Sequence, residues 1–315
     1  MISKEAEIIL KLLSINGIGP SLVNRIIHEL IRTNKKINQL FDNNNLVFLK
    51  QYLSNFDFKQ INLIESNIRN YIKNLEDINA CSLTLFDDNY PQLLLNALGK
   101  SAPPLLTYLG NIEILKQKSI GFCGSRNASD KGLEVAKDCA SQLAKNNIVI
   151  VSGHAAGVDQ TTHFAALESG GATIIVLPEG LLNFKIRESL KNVWDWNRVL
   201  VISEFSPKAI WTASRAMQRN STIIGLSIAM ILIEAGRTGG SIDAGKKTLA
   251  MKRRLYIPVY EGMPESAVGN RILLKNGAIE LKKSRSTGKA NLADIFKNLK
   301  DDSILYSLQN VFSFY

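Results

Sequence analysis

Along residues 119–180, short apolar runs alternate with amphipathic stretches and glycine-rich turns. Residues 120–123, 148–151 and 173–177 are rich in β-branched side chains. Each run is followed by Gly, Ser or Pro, the pattern of a buried strand meeting a turn. Between the first two, Leu133, Ala136, Cys139, Ala140 and Leu143 recur at helical spacing. A helix of that length leaves room to cross over, so the pattern predicts right-handed βαβ units in a doubly wound, mostly parallel sheet, an α/β fold. The run 228–233 predicts a further strand, and the stretch before it places Arg215 and Arg219 on one helical face.

Residues 1–80 carry a different period. Ile8, Ile9, Leu12 and Leu13, then Leu22, Val23, Ile26, Ile27 and Leu30, mark two helices around the turn Asn16-Gly17-Ile18-Gly19-Pro20. A small helical domain, SAM-like or helix-hairpin-helix-like, is therefore expected apart from the sheet. In helix-hairpin-helix modules the turn amides hold a DNA phosphate without reading sequence, whereas a plain αα-hairpin uses such a turn only to pack its helices; both readings stay open. The expected boundaries are 1–80 for this domain, 81–281 for the sheet domain, and 282–315 for a short basic linker and C-terminal helix.

Composition narrows the class. At 315 residues and 45% hydrophobic content, the chain can bury one large core and a small accessory one. The formal charge of +10 and a pI near 9.4 favour a polyanionic partner. Abundant Asn, Lys and Ile also indicate a compositional bias that inflates Lys without a functional cause. Cys81, Cys123 and Cys139 have no paired or metal-binding spacing, which fits a reducing cytoplasm. The chain opens without a leader-like segment and contains no apolar run of membrane-spanning length, so a cytoplasmic protein with no membrane partner is expected.

Candidate chemistry lies where the strands end, because ligands of parallel sheets sit beyond the carboxyl ends of the strands. Gly124-Ser125-Arg126 and Ser152-Gly153-His154 fall there. Glycine lets a phosphate approach the backbone, serine adds a hydroxyl, and Arg126 can fork onto phosphate oxygens. The same glycines can equally serve only as tight turns. Neither a G-x-G-x-x-G nucleotide fingerprint nor a P-loop is present. His28, His154 and His163 are the only histidines, and none has metal-ligand spacing, so neither a metal nor a cofactor is expected. Asp159 is placed to start the helix carrying His163, and Glu234 to orient an arginine of the site from behind.

Ordered short motifs add to this reading. Tyr90-Pro91, Pro103-Pro104 and Leu109-Gly110 precede Gly124-Ser125-Arg126; then come Ser152-Gly153, Ala156-Gly157-Val158-Asp159 and His163, and later Ser203-Glu204, Arg219-Asn220, Glu234-Ala235 and Gly239-Gly240-Ser241. From about residue 80 to 280 the chain resembles the DprA/Smf family of bacterial DNA-processing proteins. The resemblance implies an extended Rossmann-like core with no catalytic reaction, binding of single-stranded DNA, a homodimer, and transfer of that DNA to a RecA-type recombinase in natural transformation and recombination. It implies a DNA site at Gly124, Ser125, Arg126, Ser152, Gly153, Arg215, Arg219, Asn220, Gly240, Ser241 and Lys246, backed by Asp159 and Glu234.

The chain departs from the family pattern at several places. Ser221 stands where a second arginine usually follows Arg-Asn, and Ala216 where an aromatic is usual, although Trp211 offers a stacking face from the same loop. The tail after residue 281 is too short for a winged-helix domain. Lys246, Lys247, Lys252, Arg253 and Arg254 form a basic stretch that either lengthens a DNA track or solubilises a helix. Two alternatives to a DNA-binding mediator remain: a nucleotide or small-molecule sensor or carrier, and a phosphoribohydrolase, whose P-G-G-x-G-T-x-x-E type motif is missing at Pro178-Glu179-Gly180.

Overall fold

The computed structural model describes residues 1–41, 46–52, 61–264 and 267–300. Helices α1 (Lys4–Leu13), α2 (Pro20–Arg32), α3 (Leu46–Lys50) and α4 (Ile61–Asp77) come first. Strand β1 (Cys81–Thr84), helix α5 (Gln92–Leu98) and strand β2 (Leu105–Gly110) lead into the alternating part. That part runs β3 (Ser119–Cys123), α6 (Asp130–Ala144), β4 (Val149–Ser152), α7 (Val158–Glu168), β5 (Thr173–Val176), β6 (Val199–Ser203), α8 (Ala213–Gly225), β7 (Ala229–Leu232), α9 (Gly240–Ala250), β8 (Arg254–Pro258), α10 (Val268–Lys275) and β9 (Ile279–Leu281), followed by α11 (Ala293–Lys300).

The nine strands form one sheet in the order β1-β2-β6-β5-β4-β3-β7-β8-β9. The seven strands from β6 to β9 run parallel, and β2 and β1 extend the sheet antiparallel at one edge. This is the doubly wound, mostly parallel α/β sheet that the sequence period predicts. Chain order reverses between β3 and β7: from β3 the chain winds outward to β6, and α8 brings it back to β7. The crevice at that reversal is where such sheets accept ligands.

Both faces of the central strands are covered, so they are buried at every position rather than at every second one, and mostly apolar. In β4, Val149 and Val151 join the cluster under α8 and α9, while Ile150 joins the opposite cluster with Ala136, Cys139 and Leu143 of α6. Cap residues set where the helices begin: the Ser129 hydroxyl accepts from the Gly132 amide at α6, and the Thr212 hydroxyl accepts from the Arg215 amide at α8.

Two regions differ from the sequence expectation in how they attach. The N-terminal helices do not stand apart from the sheet: Leu105 of β2 is part of their core, and buried Asn24 of α2 donates to the carbonyls of Lys100 and Ala102 at 2.9 and 2.7 Å. The stretch after β9 is not a linker leading away. The Ala290 amide donates to Asp138 of α6 at 2.7 Å, and Ile295 and Leu299 of α11 pack on the sheet face. The helical pattern expected to continue to Phe314 runs beyond residue 300, outside the described residues.

Candidate functional site

At the carboxyl edge of the sheet, loops after β3, β4 and β5 and helix α8 enclose a cavity of about 550 Å³. Arg126, Arg187, Arg219 and Lys185 line it, with Glu179 as the one carboxylate among the lining residues. Their positions follow from the fold, because each parallel strand delivers its following loop to the same edge.

The β4 loop fixes the geometry. The Ser152 hydroxyl is buried, 2.9 Å from both the Phe122 carbonyl and Asp159 Oδ1, and Asp159 Oδ2 accepts from the Ala155 amide. Asp159 thus ties the start of α7 back to the loop before it. His163 is buried, and burial lowers its pKa, so the ring is neutral. Its Nε2 then donates to the Gly153 carbonyl at 2.7 Å, and Nδ1 lies 2.7 Å from the Thr173 hydroxyl, which is also 2.8 Å from the Ile150 carbonyl. Pinned in this way, Gly153 presents its bare Cα to Arg219: a Cβ there would run into the guanidinium.

Arg219 is only 6% exposed, and burial pushes its pKa down although Asp159 and Glu204 attract the charge. Among the described residues its Nε has no hydrogen-bond partner. Arg126 is exposed, with its guanidinium over the Trp211 ring at 5.3 Å from the centroid. The loop that carries it packs on α7 through Gly157, whose φ of +72° and lack of a side chain let the Ser125 and Arg126 carbonyls come close. Gly240 and Ser241 meet the Gly124 loop from the start of α9 without lining the cavity: the Ser241 hydroxyl donates to the Gly124 carbonyl at 2.7 Å, and Asn220 Nδ2 lies 3.4 Å from the Gly240 carbonyl.

Four expected site residues are placed otherwise. Ser152 is committed to Phe122 and Asp159 and cannot offer its hydroxyl to a ligand. Arg215 shares the helix with Arg219 but turns away, donating to the Ile210 carbonyl at 2.6 Å beside the Phe205 ring. Lys246 is exposed on α9 and is not among the residues lining the cavity. Glu234 orients no arginine: it is 1% exposed and accepts from the Ser129 amide, the Ser129 hydroxyl and the Tyr260 hydroxyl, so it anchors the start of α6.

Residues outside the expected site complete the wall. Arg187 donates through Nε and Nη2 to the His154 carbonyl. His154 packs its ring on Phe184, and burial beside Arg187 drops its pKa to about 3, so it is neutral at physiological pH. Arg187 and Lys185 lie in an irregular connection between β5 and β6, where no period marks them. Ser221, standing where the resemblance expects an arginine, accepts from Lys247 Nζ at 2.9 Å, so a cation reaches that position from the neighbouring helix α9. Among the described residues, no group of three or more His, Cys, Asp or Glu is placed to hold a metal. No helix among them is long and apolar enough to cross a membrane.

Residues 82–290 match the family of DNA recombination-mediator protein A. Among curated proteins, the DNA processing protein DprA of Streptococcus pneumoniae is 34% identical over 202 residues, covering 62% of this chain and 69% of that protein. The protein Smf of Escherichia coli is 31% identical over 193 residues, 60% of this chain and 50% of its own length. The X-ray structure of the Streptococcus pneumoniae protein covers 89% of this chain and 94% of its own, with a TM-score of 0.69 at 25% identity. A Helicobacter pylori DNA processing protein A, solved for its single-stranded DNA binding mode, has the same fold, with a TM-score of 0.57 at 23% identity over 71% of this chain and 97% of its own. The chain belongs to the DNA recombination-mediator protein A family, also called DprA/Smf.

Proposed function

We propose that the crevice binds the phosphates of single-stranded DNA and that the protein acts as a recombination mediator, holding incoming or recombining strands and passing them to a RecA-type recombinase. The observation that carries this reading is Arg219, a buried guanidinium with no ion pair among the described residues, bordering an open cavity. Asp159 attracts this charge without forming an ion pair with it, so the several kcal/mol that taking a cation out of water costs are only partly met, and an entering anion offsets the rest. Arg126 beside it supplies charge at the rim and, with Trp211, a flat face on which a base can stack.

The ligand class follows from shape and family together. The charges sit on loops and on the packed helix α8, and no helix protrudes from the lining to enter a major groove, whereas a flexible single strand can lead its phosphates in one after another. The Helicobacter pylori relative was solved for its binding of single-stranded DNA, and membership of the same family supports carrying that ligand to this crevice. Strand protection, delivery to the recombinase, a homodimeric state and the absence of catalysis extend the same resemblance. The test is a set of matched titrations with a single-stranded oligonucleotide, its duplex and a mononucleotide. The reading expects the single strand to bind most tightly and without sequence preference. Equal affinity for the duplex would overturn it, and a mononucleotide that binds as tightly as the strand would turn the crevice into a small-molecule site.

A further inference from the structure

The basic stretch on α9 and β8 is not consumed by the crevice. Residues 252–254 lie at the opposite edge of the sheet, where β3, β7 and β8 begin. There a second cavity of about 260 Å³ opens between that edge and α11, with Ile120, Ile228 and Leu299 among its apolar walls. Lys252, Arg253, Arg254 and Asn298 line it as well.

Arg253 is the unusual member. It is 8% exposed, its Nε has no partner among the described residues, and the one side-chain hydrogen bond it makes to them is a long one of 3.4 Å from Nη2 to the Leu93 carbonyl. Burial lowers its pKa, and no carboxylate of the described residues offsets that effect. Arg254 differs, since Asp294 stands 3.5 Å from its Nη1 and already balances its charge. Lys252, exposed at the rim with a left-handed backbone (φ 55°), carries the chain from the end of α9 into β8 and leaves Arg253 turned inward.

We propose that this amino-edge cavity is a second anion site, in which Arg253 from inside and Lys252 at the rim take one phosphate group. A buried guanidinium is well matched to a phosphate, because its fork donates two hydrogen bonds to two oxygens. The cavity is slightly below the roughly 300 Å³ at which ordinary ligand pockets start, so it suits a phosphate or one small phosphoester and not a large cofactor. A strand held in the crevice and a free nucleotide both carry that chemistry.

The experiment uses the full chain with the crevice silenced by Arg126→Ala and Arg219→Ala. Inorganic phosphate is titrated at constant ionic strength while the melting temperature is followed. The site is supported if phosphate raises the melting temperature in this background, if adding Arg253→Met removes the rise, and if Arg253→Lys retains part of it. Arg253→Met by itself in chloride should not lower the melting temperature, because removing an uncompensated buried charge is neutral or stabilising. A structural arginine gives the reverse pattern: a lower melting temperature in chloride and an unchanged response to phosphate. Should Arg253→Met not fold, 31P line broadening of inorganic phosphate decides between the silenced chain and its Arg253→Lys form; equal broadening sinks the site. Repeating the titration with a short oligothymidylate and with a nucleoside monophosphate separates a strand from a free nucleotide as the source. No response to any of the three phosphate carriers overturns the proposal.

Discussion

Gly153 has no side chain, and the Arg219 guanidinium occupies the space where one would be, with His163 holding the glycine carbonyl from below. One added methyl group should therefore act on the arginine and not on the fold. Gly153→Ala is expected to displace the guanidinium and weaken single-strand binding by about 1 to 3 kcal/mol, the usual worth of one well-made phosphate contact. The melting temperature should stay within a few degrees, as checked by a thermal melt beside an anisotropy titration; unchanged affinity would mean that Arg219 does not touch the strand. Trp211, 46% exposed under Arg126, makes the second residue-level prediction. Trp211→Ala should cost about 1 to 3 kcal/mol of single-strand affinity if a base stacks there, and Trp211→Phe should recover most of it. Arg126 and Arg219 could be read from the sequence because each sits in a short motif at a strand end or on a helix. His154 could be placed at that edge as well, directly after the β4 run, whereas Arg187 could not, since its role comes from an irregular connection that only the folded sheet brings to the cavity. Glu234 was misread for a related reason: a carboxylate at a strand end shows in sequence, but whether Ser129 and Tyr260 or an arginine reaches it is decided by packing.

At the level of elements, β6 ends at Ser203 and is followed by Glu204, which lies under α8. Thr222 donates to its Oε2 at 3.0 Å, while Oε1 is buried without a partner. Burial raises this carboxyl from the ordinary 4.5 to about 7, against the weaker pull of Thr222, Arg219 and Lys247. The folded chain therefore keeps a proton there that the unfolded chain releases near pH 4.5. The stability this confers is complete below that pH and is lost as pH rises through about 7. Glu204→Gln should accordingly flatten the pH dependence of the melting temperature between about 4.5 and 7 and raise it at pH 8. An unaltered profile would contradict a protonated Glu204. The elements themselves were largely legible. Continuous β-branched or apolar runs located β3, β4, β5 and β7, and a period of 3.6 located α6, because those segments have one environment along their whole length. The antiparallel extension by β1 and β2 was less so, because pairing direction depends on partners distant in the chain, as Thr107 opposite Ser203 shows. The docking of α2 through Asn24 was hidden for the same reason: a polar residue in a helix reads as surface until its carbonyl partners are known.

Across the whole molecule, whose net charge is +10, basic residues line a cavity at each edge of one sheet, Arg126, Arg187 and Arg219 at the carboxyl edge and Lys252 and Arg253 at the amino edge. The first of these lies where the parallel strands deliver their loops, and those after β3, β4 and β5 line the cavity together with α8. Charge alone would predict loose attraction to any polyanion; a buried arginine with no ion pair among the described residues, at that edge, predicts a defined contact whose loss is felt. The most direct measurement of that difference is the salt dependence of single-strand affinity for the native chain beside Arg126→Ala and Arg219→Ala. The native chain should lose affinity with a log-log slope of about 0.7 per phosphate neutralised. Each variant should bind more weakly by about 1 to 3 kcal/mol, with a slope shallower by roughly one phosphate and an unchanged melt. Identical slopes and affinities for all three proteins would contradict the crevice as the DNA site.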